Sequence, residues 1–141
     1  MSAPVLSRTV FESELQVRPD DIDMNQHVHS SRYLDYVLAE RFDQMARCYR
    51  MPWEEFTKLG LGWVVRTAHV EYKRPLGLGD WFIVRTWVQE ILKDSVRVDF
   101  EILKKANRKT SCDGHFIYTL VNLANGRATP IPEAIIARYA I

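Results

Sequence analysis

Cysteine is scarce in this sequence: Cys48 and Cys112 stand alone among 141 residues, with no CxxC and no ligand-like spacing to the four histidines. That pattern argues against a disulfide framework and a zinc site, and both thiols are expected to be reduced, in the core or half-buried. Long apolar runs are missing as well. No segment approaches the ~20 apolar residues of a membrane span, and the N-terminal MSAPVLSRTV holds no stretch suited to a signal peptide, so a soluble, cytoplasmic protein is expected. An excess of one charge sign is also absent. The 19 Lys and Arg against 18 Asp and Glu leave a net +1, which shows neither a nucleic-acid footprint nor an acidic tail. There is no repeat and no low-complexity tract.

What is present is ordinary globular composition, 47% hydrophobic and 26% charged, in a length that suits one domain spanning 1–141. From Val10 to Val17 apolar and polar residues alternate, which predicts a half-buried strand ended by Arg18-Pro19-Asp20. A helix is expected from Ser30 or Ser31 to about Tyr49, with Leu34, Leu38, Phe42, Met45 and Tyr49 as its buried stripe. Pro52 opens a second short helix that stops at Gly60. The chain then turns β-rich. Trp63 to Tyr72, Trp81 to Ile91, Ser95 to Lys104 and His115 to Leu123 are dense in β-branched and aromatic residues, and short polar links between the later strands predict antiparallel neighbours. Pro132 to Tyr139 is expected to form a short terminal helix. The order predicts an α+β domain in which one long helix packs on an antiparallel sheet of about five strands.

The chemistry is concentrated between Asp21 and Tyr33, in DIDMNQHVHSSRY, a polar stretch held between the first strand and the long helix. Asp23, Asn25 and His27 sit at alternate positions, and the first free amides of the helix follow at Ser30. A carboxylate beside uncommitted N–H groups suits acyl transfer: the acid acts as nucleophile or general base, and the amides receive an oxyanion. His27 and Asn25 are candidates to orient Asp23 or a water. Asp21 and Asn25 equally suit turn-making and capping. His69 and His115 read as hydrogen-bonded residues at the edge of a core, and Arg41 and Arg66 as ion-pairing residues. Tyr33, Tyr36, Trp63, Trp81 and Trp87 are candidates to line a pocket, although most aromatics of so small a domain belong in its core.

DIDMNQHVHSSRYLDYVLAE resembles the signature of hotdog-fold thioesterases of the 4-hydroxybenzoyl-CoA thioesterase type. Its D-x-D-M-N-Q-H-V run is similar to the plant acyl-ACP thioesterases, whose D-x-N-x-H arrangement Asp23, Asn25 and His27 match. Val70-Glu71-Tyr72-Lys73-Arg74-Pro75, followed by Gly79-Asp80, resembles the family's second segment, and Gly126-Arg127 with Ile131-Pro132 its C-terminal turn. The resemblance implies a hotdog fold, a long central helix wrapped by a curved antiparallel sheet, with subunits pairing sheet edges into a homodimer or homotetramer. It implies hydrolysis of acyl-CoA or acyl carrier protein thioesters, with Asp23 as nucleophile or base, the Ser30 amide polarising the carbonyl, and no metal or cofactor. Three departures stand out. Gln26 replaces a usual glycine, His29-Ser30 replaces Asn-Asn, and Ala39 stands where many relatives have a helical acid, with Glu40 one step later as either a catalytic partner or half of an ion pair.

For the carrier's phosphates or acidic surface, Lys73 and Arg74 are the candidate handle, with Tyr33 beside them. Lys104, Lys105, Arg108 and Lys109 surround a hairpin and read as a solvated end. The competing functions are a hotdog dehydratase or hydratase and a non-catalytic acyl-CoA-binding module. Neither nucleic acid nor membrane is an expected partner.

Overall fold

The computed structural model describes residues 6–141; the first five residues, part of the N-terminal stretch considered above, lie outside the described residues. The chain runs β1 (Phe11–Gln16), a 3-10 turn (Pro19–Asp21), α1 (Ser30–Arg47), α2 (Trp53–Lys58), β2 (Leu61–Tyr72), β3 (Trp81–Ile91), β4 (Ser95–Lys104), β5 (Thr110–Asn122) and α3 (Glu133–Tyr139). The five strands form one antiparallel sheet in the order β1-β3-β4-β5-β2. This is the expected α+β hotdog arrangement. Among the described residues, no helix is long and apolar enough to cross a membrane.

Alternation along the strands builds the core. Phe82 and Val84 on β3, Phe100 and Ile102 on β4, and Cys112 and Phe116 on β5 are buried on one face and meet Tyr33 and Val37 of α1. A second cluster joins Tyr49, Phe56, Val88, Val96, Val98 and Leu120 to Ile135 and Tyr139 of α3. Both thiols follow the expected pattern, Cys112 buried and Cys48 half-buried, and burial pushes Cys112 up to about 12. β5 starts at Thr110 and not at His115, because Thr110 to Gly114 pairs with β4 through Leu103↔Thr110 and Phe100↔Gly114 despite its turn-like composition. Val10 lies outside β1 and is exposed.

The helix presents a different face from the expected one. Its buried residues are Tyr33, Val37, Arg41 and Gln44, whereas Leu38 and Phe42 are 37% and 54% exposed. The stripe has therefore turned by one residue, about 100° on a 3.6-residue helix. The cause is polar pairing inside the sheet: Gln44 binds the Thr86 hydroxyl and donates Nε2 to Ser13 Oγ at 3.2 Å, so an amide takes a core position with partners supplied. His69 and His115 also differ from expectation. They stack ring on ring across β2 and β5 at 5.4 Å, and the His69 side chain is largely exposed on the sheet's outer face.

Gly114 is where the sheet tolerates no side chain: a Cβ there would lie 1.9 Å from the His69 carbonyl oxygen. Gly114→Ala is expected to lower unfolding stability by about 2 kcal/mol or more, checked by urea titration.

Candidate active site

The segment between the 3-10 turn and α1 is a tight loop whose own backbone fixes Asp23. Asp23 Oδ1 accepts the amides of Asn25 at 2.9 Å and His27 at 3.2 Å, while the Asp23 amide donates to the His27 carbonyl at 2.9 Å. The loop closes through Gln26 at φ +62°, a left-handed conformation that costs a non-glycine residue about 1 kcal/mol and explains a usual glycine at this point. The loop is then stitched to the β2–β3 connection. Val28 donates to the Leu76 carbonyl at 2.8 Å, His27 bridges Gly77, and the Leu76 amide donates to the Tyr33 hydroxyl at 3.0 Å.

Asp21 is the buried acid of the loop. Its carboxylate accepts the Tyr36 hydroxyl, lies 3.4 Å from Arg32 Nε, and its carbonyl accepts the His29 amide at 2.9 Å. Burial first, and then that carboxylate, raise the Tyr36 hydroxyl well above its ordinary value, so Tyr36 remains a phenol. His29 caps α1: its Nδ1 accepts the Ser31 amide at 3.3 Å and meets Ser31 Oγ at 2.9 Å. The Ser30 amide, at the first helical position, has no acceptor among the described residues, and the Ser30 carbonyl accepts the Tyr72 hydroxyl at 2.9 Å.

These elements enclose an open cleft of about 360 Å³ in which Asp23, His27, Ser30, Tyr33, Tyr72 and Arg74 meet. Lys73 also reaches it. Asn25 is exposed and does not line the cleft; its contribution to Asp23 is its backbone amide. His27 likewise holds Asp23 through its backbone N–H and leaves its imidazole at the cleft. Glu40, almost three turns along α1 from Ser30, does not line the cleft. Tyr33 is buried, its hydroxyl raised chiefly by burial and committed to Leu76, so its ring serves as a wall packed edge-on against Tyr72 at 5.5 Å.

The two cations differ. Lys73 Nζ pairs with Asp113 at 2.7 Å, and that carboxylate raises its pKa. Arg74 donates Nη1 to the Thr110 carbonyl at 3.0 Å and forms no ion pair among the described residues. An exposed ion pair is weakly held, so Lys73 is loosely engaged while Arg74 has no carboxylate partner among the described residues. Lys104 and Lys105 are held by Asp80 and Glu14.

The sequence did not single out Tyr72 as a cleft residue, although it stands in the quoted second segment, where it ends β2. Arg41 is a correction. Expected as an ion-pairing residue, it is buried in the core with no carboxylate within pairing distance among the described residues. Of the other aromatic candidates, Trp63 lines a groove beside α1, Tyr36 is tied to Asp21, Trp81 lies under Lys105, and Trp87 donates to Gln89.

Compared with known proteins, residues 17–139 match the model of the thioesterase-like superfamily. The chain is 22% identical over 118 residues to the long-chain acyl-CoA thioesterase FadM of Escherichia coli (strain K12), covering 84% of this chain and 88% of that protein. Among solved structures it is similar to a 1,4-dihydroxy-2-naphthoyl-CoA thioesterase from Synechocystis, with a TM-score of 0.83 and 16% identity over 93% of this chain and 96% of that one. A Staphylococcus aureus protein solved in complex with CoA gives a TM-score of 0.82 and 18% identity over 97% and 85% of the two chains. At these identities the structural likenesses establish the fold.

The two acids of the loop should separate in a stability measurement. Asp21→Ala leaves Tyr36 and Arg32 without their shared acceptor and is expected to cost about 2 kcal/mol, whereas Asp23→Asn keeps an oxygen for both amides and should stay within about 0.5 kcal/mol of the parent. Urea titration of both variants checks the difference.

Proposed function

The chain belongs to the thioesterase-like superfamily, and from that premise we propose that it hydrolyses acyl-CoA thioesters at the Asp23–Ser30 cleft. The observation that carries this reading is the pairing of two groups. One is a carboxylate with one oxygen fixed by two backbone amides and the other uncommitted; the other is the unpaired Ser30 N–H at the start of an eighteen-residue helix. The thioester carbonyl oxygen accepts the Ser30 amide, where the helix terminus favours the charge that develops on attack. Asp23 either attacks the carbonyl carbon itself or takes a proton from the attacking water. In the first case the C–S bond breaks to leave an acyl anhydride on Asp23, which a water then hydrolyses; in the second the water's oxygen adds to the carbonyl and the C–S bond breaks directly. In both the sulfur gains a proton, free acid and thiol leave, and the Asp23 carboxylate is restored. His27 and Tyr33 shape the site, and Arg74, with Lys73, faces the carrier's phosphates.

CoA is favoured over acyl carrier protein as carrier because the named relatives act on CoA thioesters and one neighbour holds CoA. In this reading residues 1–141 form a single domain. Its motif groups it with the 4-hydroxybenzoyl-CoA type and, in the D-x-N-x-H run, with the plant acyl-ACP enzymes. Release of free thiol, followed across short, long and aromatic acyl-CoA and acyl-ACP substrates, tests it. Asp23→Asn is expected to lose about 100-fold or more in kcat; equal turnover by both proteins removes Asp23 from the reaction. Absence of turnover on every substrate moves the protein to a non-catalytic acyl-CoA-binding role.

The same reading includes a homodimer built on β2. That strand bonds only β5 on one side, runs for twelve residues, and exposes every residue from 64 to 69, with Val64 and Val65 at 49% and 43%. A long exposed edge that carries two adjacent valines is a template for pairing with another strand. Val65→Glu is expected to shift the sedimentation profile towards monomer.

A further inference from the structure

Beside α1, on the side of the helix that carries Leu38 and Phe42, lies an apolar groove of about 420 Å³ walled by these two residues with Trp53, Phe56 and Leu61. Its floor is not apolar. Arg41, Trp63 and Tyr118 line both this groove and a smaller cavity of about 30 Å³ beneath it. Arg41 is 5% exposed, and its guanidinium sits over the rings of Tyr49 at 4.7 Å and Tyr139 at 5.8 Å. Arg41 Nη1, Trp63 Nε1 and the Tyr118 hydroxyl are each buried without a hydrogen-bond partner.

Buried charges are as a rule paired, and buried donors find acceptors. Here three such side chains line the same two cavities, one of them a guanidinium that also lies against Tyr49, whose hydroxyl is likewise without a partner. Burial pushes Tyr118 up to about 12, so it too is a neutral donor near pH 7. A water fits the small cavity but brings no charge to offset the guanidinium. A carboxylate does both, because it accepts from several donors and is anionic.

We propose that the groove receives the acyl group of the substrate and that Arg41, with Tyr118 and Trp63, binds a carboxylate at the far end of that group. The preferred substrate is then the thioester of a dicarboxylic acid. This rests on the thioesterase reading above. The span is suitable: Arg41 follows Ser30 by eleven residues of α1, about 16 Å along the helix axis, so a medium-length chain attached at the Ser30 amide reaches the guanidinium. Leu38, between them in the chain, gives the groove an apolar wall on the side nearer Ser30.

Two measurements on the full chain test the proposal. Decanedioyl-CoA and decanoyl-CoA are compared by kcat/KM in the parent, Arg41→Met, Arg41→Lys and Tyr118→Phe. The parent is expected to prefer decanedioyl-CoA. The preference should fall about 10- to 100-fold in Arg41→Met, and by less in the other two. The second measurement needs no turnover: calorimetric titration with free decanedioate and decanoate, in which the parent binds the dicarboxylate more tightly and Arg41→Met loses that advantage. If no thioester is hydrolysed, the calorimetry alone decides on the groove. If Arg41→Met does not fold, Arg41→Lys and Tyr118→Phe carry the comparison. A parent preference for decanoyl-CoA or decanoate, or a dicarboxylate preference untouched by every folded variant, overturns the proposal.

Discussion

The candidate site depends on the requirement that backbone N–H groups in a short loop be satisfied within a few ångströms. Between Asp21 and Ser31 the amides of Asp23, Asn25, Gln26, His27, Val28, His29 and Ser31 all donate to acceptors inside the loop or on the Leu76 carbonyl. Two of those acceptors are side chains, Asp23 and His29, which is why the residue types matter there. The exception at the helix start is Ser30. A helix N-terminus leaves amides over by construction, and this loop consumes its neighbours while leaving that one facing the cleft. Rigidity of Asp23 and availability of Ser30 are thus two results of one hydrogen-bond pattern.

The strand and helix order was legible because it rests on local periodicity and on Pro and Gly punctuation, which tertiary contacts did not reverse. Two of the departures, the longer β5 and the rolled α1, have the same origin. β5 extends back to Thr110 because a polar TSCDG run is held by cross-strand partners that no local window contains. α1 rolled by one residue because Gln44 has Thr86 and Ser13 to bond, and those lie on distant strands. Hydrophobic patterning assigns a glutamine to solvent by default, and only the sheet's inward hydroxyls make the core the better place.

Within the site, residue types were legible and their roles less so. Asp23 stood out as a carboxylate beside a helix start, and the structure keeps it there. Asn25 and His27 were picked for their side chains, yet it is their backbone amides that reach Asp23. A sequence motif records the residue and not which of its atoms is used. Gln26 shows the complementary case: its positive φ gives a physical reason for the family's glycine, and the cost of a side chain there is small enough to be absorbed.

The rolled helix also decides how the far side of the protein must be understood. Turning Gln44 inward carries Arg41 with it, since the two lie three residues apart on one face. Gln44 finds partners and Arg41 does not. An unpaired buried charge costs several kcal/mol, a large share of the roughly 5–15 kcal/mol that keeps a domain folded, while a methionine of similar reach would fill the same space without that penalty. The aromatic rings of Tyr49 and Tyr139 recover only part of it, about 2 kcal/mol for a desolvated cation–π contact. The remainder is what an anionic ligand would recover on binding, and the same rotation that buries Arg41 turns Leu38 and Phe42 outward, where they wall the groove that Arg41 also lines.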